Sequence, residues 1–320
     1  MKRPRIVTIG GGTGHYALLT GLRDLEADLT AVVTMMDSGG SSGRLRDEYG
    51  ILPPGDFTRC LVALSAHPAA MKDLLSHRFV GGSLDGHTVR NVIFTALEQI
   101  TGDTEHTIER LHDVFAVEGQ VFPVTLDRVE LAMHLQNDHV YRGEATIDGL
   151  VDMLEAPVLS VWLDPPAHAY GPAIEALSRA DLIVMGPGDL YTSVIPNLLV
   201  RGVREAVEAS KARKLYICNL MTKRNETPGF TVSRFISTIE LYLASGALDC
   251  VLYNEAWPSH ALDIYKSVGS EPVQPGNLAQ RARPGLCVGR DLLMEGRFIR
   301  HDPRKLARAV VDLAREQGWW

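Results

Sequence analysis

The chain has 320 residues, 45% apolar and 22% charged, and 32 Lys+Arg against 39 Asp+Glu give a formal net charge of −7. A chain of this size buries a large core without disulfide or metal staples, and so ordinary a composition excludes collagen, coiled coil and disorder. The mild acidity speaks against nucleic acid as a partner, because neutralising phosphates takes a basic face.

Residues 1–9 lack the hydrophobic region and small-residue cleavage site of a signal peptide, and no run of about 18 apolar residues marks a membrane span. Four widely spaced cysteines, Cys60, Cys218, Cys250 and Cys287, form no CxxC pair and read as filler in a reducing setting. A soluble cytoplasmic protein is expected.

Residues 5–9 (RIVTI) read as a buried strand, 15–26 as a helix and 29–36 (LTAVVTMM) as a second strand. Strand, glycine turn, helix and strand make a βαβ unit and imply a parallel sheet. A long Gly/Ser/Pro loop is expected over 37–55, then helices near 56–66, 70–78, 87–101 and 104–117. The segment 120–147 changes character: VFPVTL, VELAMHL and HVYRGEATI read as short strands, with a turn at Asn137-Asp138. Alternation returns with strands at 158–163, 181–185, 214–219 and 249–254. Helices at 171–179, 190–210 and 231–245 lie between them, and a closing helix spans 303–316. The expectation is an α/β, Rossmann-like, doubly wound and mostly parallel sheet, a single domain over 1–320 with a small β-rich insertion at 120–147.

In such sheets ligands bind beyond the carboxyl ends of the strands. After the first strand, Gly11, Gly12, Thr13 and Gly14 open a helix with glycines that let backbone N–H groups approach a phosphate. Counting G-x-G-x-x-G from Gly10 puts His15 at the last glycine, and no Lys-Ser/Thr follows, so the loop is neither a full dinucleotide fingerprint nor a Walker A loop. After the second strand, Asp37 is placed to hold ribose hydroxyls, or Mg²⁺ together with phosphate oxygens. Gly39, Gly40, Ser41 and Ser42 make a second anion nest with Arg44 beside it. Asp56 opens the next helix as an N-cap or as a second metal ligand. His87 and Asn91 share a helix face. After the strand at 181–185 come Gly188, Asp189, Tyr191 and Thr192. Asn219 and Thr222 follow the next strand with groups suited to a base or sugar edge. Arg300, just before the last helix, is a candidate diphosphate ligand or a helix-entry ion pair. No HxxxH pair or nucleophile elbow is present.

The blocks IGGGTG at 9–14, DSGGSSGRLRDEYGILPPGD at 37–56, GPGDLYTSVIPNLLV at 186–200, CNLMT at 218–222 and RHDP at 300–303 resemble the YvcK-like gluconeogenesis-factor family (UPF0052) over nearly the whole chain. The resemblance implies the fold of CofD, the 2-phospho-L-lactate transferase that moves a phospholactyl group from a guanosine diphosphate donor to a deazaflavin alcohol with Mg²⁺. It further implies a regulatory protein that binds a nucleotide sugar of the UDP-N-acetylglucosamine type. Such a protein would be linked to gluconeogenesis, cell shape and cell-wall homeostasis. The alternative is a CofD-like transferase acting on a nucleotide-diphosphate-linked donor, with Mg²⁺ at Asp37 and Asp56. A homo-oligomer is expected. The sequence departs from the family pattern around the inferred cleft. Ser38 replaces a second acid, Arg59 and Arg90 stand where Asn and Gly are expected, Asp189 replaces Ser, and Lys223-Arg224 replaces a more neutral pair.

Overall fold

The computed structural model describes residues 3–150, 156–258, 262–278, 287–294 and 296–319. Strand β1 (Arg5–Gly10) is buried along almost its whole length, as a central strand covered by helices on both faces must be. Helix α1 (Gly12–Leu22) returns the chain to β2 (Asp28–Val33), which lies parallel to β1. Five helices then follow: α2 (Gly40–Tyr49), α3 (Gly55–Ala63), α4 (Ala69–Ser76), α5 (Val89–Thr101) and α6 (Thr104–Phe115). They lead to β3 (Gln120–Pro123), the parallel edge strand beside β2.

A separate antiparallel sheet comes next. It is built from β4 (Glu130–Leu135), β5 (Val140–Arg142) and, after the short helix α7 (Glu144–Asp148), β6 (Val158–Asp164), in the order β5-β4-β6. Helix α8 (Gly171–Arg179) leads back to the main sheet at β7 (Leu182–Met185). A π-helical turn at Leu190–Val194 continues into α9 (Ile195–Leu199) and α10 (Val203–Ala209). The chain ends through β8 (Arg213–Ile217), α11 (Val232–Tyr242), β9 (Cys250–Asn254), α12 (Leu262–Ser267), β10 (Cys287–Arg290) and α13 (Pro303–Glu316). The seven-stranded sheet has the order β10-β9-β8-β7-β1-β2-β3, and all its neighbours are parallel. The expected α/β architecture is therefore present. Among the described residues no helix is long and apolar enough to cross a membrane.

Three local expectations differ from the structure. The stretch read as one loop contains α2, because the helix-forming residues Arg44–Tyr49 outweigh its Gly/Ser start and Gly50 closes it at φ +65°. The β-rich stretch divides: 120–123 belongs to the parallel sheet, and only β4 and β5 of that segment enter the antiparallel one. The apolar run at 158–163 also leaves the main sheet. Its side chains alternate between buried and exposed, which suits a sheet wet on one face, whereas β7 is buried throughout.

Candidate functional site

β1 and β7 are neighbours, and from them the chain proceeds outward in opposite directions. That reversal opens a crevice beyond their carboxyl ends, and a cavity of about 550 Å³ lies there. The volume falls in the range taken up by small-molecule and cofactor sites. One wall is the start of α1, with Gly12, Thr13, Gly14 and Tyr16. The loop after β7 contributes Gly188, Asp189 and Ser193, and the loop after β8 contributes Asn219 to Lys223. Tyr265, Met294, Arg300 and His301 come from the last quarter of the chain, and Arg59, Ser76 and Arg90 from α3, α4 and α5.

The glycine run serves packing as well as access. Gly12 has φ +70°, a conformation that L side chains rarely adopt. Gly14 faces the loop after β7 so closely that a Cβ there would fall 2.5 Å from the Pro187 carbonyl oxygen. His15, at the place of the fingerprint's last glycine, fills the space under β1. Its Nε2 lies 2.7 Å from Thr8 Oγ1, and burial lowers its pKa to about 4.

Asp56 does not cap its own helix, whose N-cap is Pro54. It caps α1 instead: Oδ2 accepts the Gly12 N–H at 2.8 Å, while Oδ1 accepts Arg59 Nη1 at 2.9 Å. Burial raises the Asp56 pKa, and Arg59 acts against that shift. Asp37 accepts the Gly39 N–H at 3.1 Å. Near it Glu144 is pushed up to about 8, by burial first and then by Asp148 and Asp37. Ser38 Oγ accepts the Ala145 N–H at 2.8 Å and so fixes α7.

A buried polar network lies beside the cavity. Asn91 Nδ2 donates to Ser41 Oγ at 3.1 Å, His87 Nδ1 is 3.0 Å from the same oxygen, and Thr58 Oγ1 donates to Asn91 Oδ1 at 2.8 Å. His87 and Asn91 do share a face, but they meet at Ser41. Across the cavity, Lys223 Nζ reaches Asp148 and Asp189 at 2.6 Å and Glu226 at 2.8 Å. Burial alone would lower the Lys223 pKa; Glu226, Asp189 and Asp148 outweigh it and hold the ammonium charged. Glu226 is fully buried and also accepts the Tyr191 N–H and the Thr192 hydroxyl, each at 2.9 Å.

Gly12, Thr13, Gly14, Gly188, Asp189, Asn219, Thr222 and Arg300 thus line one cavity. Gly11 lies beneath Asp56 and Thr34. Asp37, Gly39, Gly40, Ser41, Ser42, Arg44 and Asn91 sit outside the lining, around α2; Arg44 donates to the Asp85 carbonyl. Tyr191 and Thr192 hold Glu226 in place. Sequence reasoning sets Arg59 and Arg90 around the cleft only as departures from the family pattern, and does not reach Tyr265 and His301 as site residues. A cation in the first turn of α5, against the helix dipole, was the available signal for Arg90. Tyr265 and His301 reach the cavity by tertiary packing and leave no local signal.

Three lining residues each carry a buried polar atom without a hydrogen bond: Arg90 Nε, Asn219 Oδ1 and His301 Nε2. Burial lowers the His301 pKa to about 4, and its ring hydrogen-bonds the Cys218 backbone, so Nε2 is a bare acceptor. Of the two acids expected to hold Mg²⁺, Asp37 accepts the Gly39 N–H through Oδ1. Both Asp56 oxygens are engaged, and the three described carboxylates close enough to share a cation, Asp148, Asp189 and Glu226, already surround Lys223.

The family model described as 2-phospho-L-lactate transferase CofD matches residues 6–292. The gluconeogenesis factor of Bacillus subtilis is 38% identical over 320 residues, spanning 98% of this chain and 99% of that protein. The gluconeogenesis factor of Listeria innocua is 39% identical over 315 residues, spanning 97% and 96%. A crystal structure of a UPF0052 family member from Bacillus halodurans superposes with a TM-score of 0.91 at 36% identity, covering 97% of this chain and all of that one.

Proposed function

The chain belongs to the CofD family, in its gluconeogenesis-factor branch, and from that premise we propose that the cavity binds a nucleotide sugar of the UDP-N-acetylglucosamine type. The protein then acts in the cytoplasm as a regulator linked to gluconeogenesis, cell shape and cell-wall homeostasis. One observation carries the reading: the glycine start of α1 and Asn219, whose Oδ1 is buried without a hydrogen bond, line one cavity at the sheet's switch point. The amides at the start of α1 beyond Gly12, whose N–H Asp56 already takes, suit a diphosphate. Asn219, His301 and Thr222 offer hydrogen-bonding groups to a base or sugar edge, and Arg300 a cation. The acids around the cavity are held by internal partners, Asp56 by Arg59 and Gly12, Asp189 and Glu226 by Lys223. That arrangement favours holding a ligand over proton transfer.

Calorimetry and thermal shift with UDP-N-acetylglucosamine, UDP-glucose, GDP and NAD test it. Saturable UDP-sugar binding without release of UMP is expected. No heat with any UDP-sugar at concentrations well above micromolar sinks the reading. The transferase alternative draws on the family-model match; it requires Mg²⁺-dependent release of UMP or GMP in the presence of an alcohol acceptor.

A further inference from the structure

Arg90 is the second residue of α5 and lines the cavity, yet only 7% of its surface is exposed. Its Nε is buried without a hydrogen bond, and among the described residues no carboxylate pairs with its guanidinium. The acid whose charge acts on it, Asp56, spends one oxygen on Arg59 and the other on the Gly12 amide. The position also sets the charge in the first turn of a helix, where the dipole repels a cation. Burial, then Arg59 and Arg78, lower its pKa to about 10, so it stays charged at neutral pH. A buried cation without a partner is strongly unfavourable, and a ligand anion entering the cavity relieves it.

We infer that Arg90, with Arg59 beside it, forms a subsite for an anionic group that the ligand carries in addition to its diphosphate. This rests on the nucleotide-sugar reading and narrows it to nucleotides bearing a further carboxylate or phosphate. The diphosphate has its own partners in the α1 amides and Arg300. Arg59 and Arg90 stand together on the α3–α5 side of the cavity and concentrate positive charge there.

Binding of UDP-glucuronate and UDP-glucose to wild type and Arg90→Leu tests the subsite, with uridine 3′,5′-bisphosphate against UMP distinguishing a sugar carboxylate from a ribose phosphate. Wild type is expected to prefer the additionally charged member of one pair by at least about tenfold, the scale of one charge-assisted hydrogen bond. Arg90→Leu should abolish that preference and leave UDP-glucose affinity within a few-fold. Without ligand, Arg90→Leu should melt no lower than wild type, since it removes an uncompensated charge. Equal wild-type affinities within both pairs overturn the subsite while leaving the nucleotide reading intact. An equal loss of UDP-glucose and UDP-glucuronate binding in Arg90→Leu assigns Arg90 to the diphosphate and also overturns it. If no nucleotide binds wild type, the nucleotide reading fails. The subsite then stands only if inorganic phosphate raises the wild-type Tm, and not that of Arg90→Leu, at matched ionic strength.

Discussion

The Lys223 ammonium lies 2.6 Å from Asp189 Oδ2 and so ties the loop after β8 to the loop after β7 across the cavity wall. The same nitrogen meets Asp148 and Glu226 and occupies the centre of a three-carboxylate cluster. It stands where a divalent cation otherwise would. Lys223→Met should therefore destabilise the protein, leaving Glu226 buried beside two other acids. Breaking a buried pair from one side costs about 3–5 kcal/mol, and the partial exposure of Lys223 puts this case at the low end. Millimolar Ca²⁺ or Mn²⁺ should restore part of the lost Tm in the variant and not raise that of wild type. Equal metal responses in both proteins contradict the arrangement.

Much of this site was legible in the sequence, and the reason is local. Glycines and hydroxyls after the strands at 5–9, 181–185 and 214–219 mark loops whose position follows from sheet topology alone, so Gly12 to Gly14, Gly188 and Asn219 were found. Ser41 and Asn91 carry the same residue types, but on α2 and α5 they meet in a buried network, while Asp37 accepts the Gly39 N–H. Residue type reports a capacity for hydrogen bonding, not its partner. Arg90 depends on how α5 packs against α3 and α4, and His301 on where the segment before α13 lies, which no periodicity records. The strand at 158–163 is visible in the sequence but its sheet is not, because a half-buried strand and a fully buried one are both apolar over so short a run.

The pH dependence of stability should have two opposed limbs. Glu144 has its pKa raised from 4.5 to about 8. The native state therefore binds more protons than the unfolded one in that window, and stability falls as pH rises through it. His15 and His301 are lowered from 6.5 to about 4, so the native state binds fewer protons there and stability falls as pH drops below 6.5. Glu144→Gln should remove the alkaline limb and leave the acid one. Urea midpoints measured from pH 4 to 9 check this; an unchanged slope between pH 6.5 and 8 in Glu144→Gln refutes the assignment.

Asn219→Ala should separate affinity from stability. Its Oδ1 is buried without a partner, so truncation removes an unsatisfied acceptor, and the unliganded protein should lose little. A hydrogen bond to the ligand is worth about 0.5–1.5 kcal/mol, so UDP-sugar affinity should fall up to about tenfold. Comparing calorimetric Kd with the Tm of the unliganded variant decides the matter. A large Tm drop with unchanged Kd makes Asn219 a structural residue.

Gly14→Ala should lose stability and affinity together. The added methyl would lie 2.5 Å from the Pro187 carbonyl oxygen and 2.9 Å from its carbonyl carbon, both backbone atoms with no rotamer to swing aside. The loop after β7 must then move away from α1, and overpacking of this kind costs about 1–3 kcal/mol. Because Gly188 and Asp189 ride on that loop, the cavity widens where the diphosphate is proposed to sit. Gly40→Ala is the control: its φ is +48° but nothing lies within 4 Å, so it carries backbone strain of about 1–2 kcal/mol without a clash. Similar urea midpoints for the two variants are compatible with these costs, but UDP-sugar affinity should fall only in Gly14→Ala. Equal affinity in both variants removes the link between this contact and the shape of the cavity.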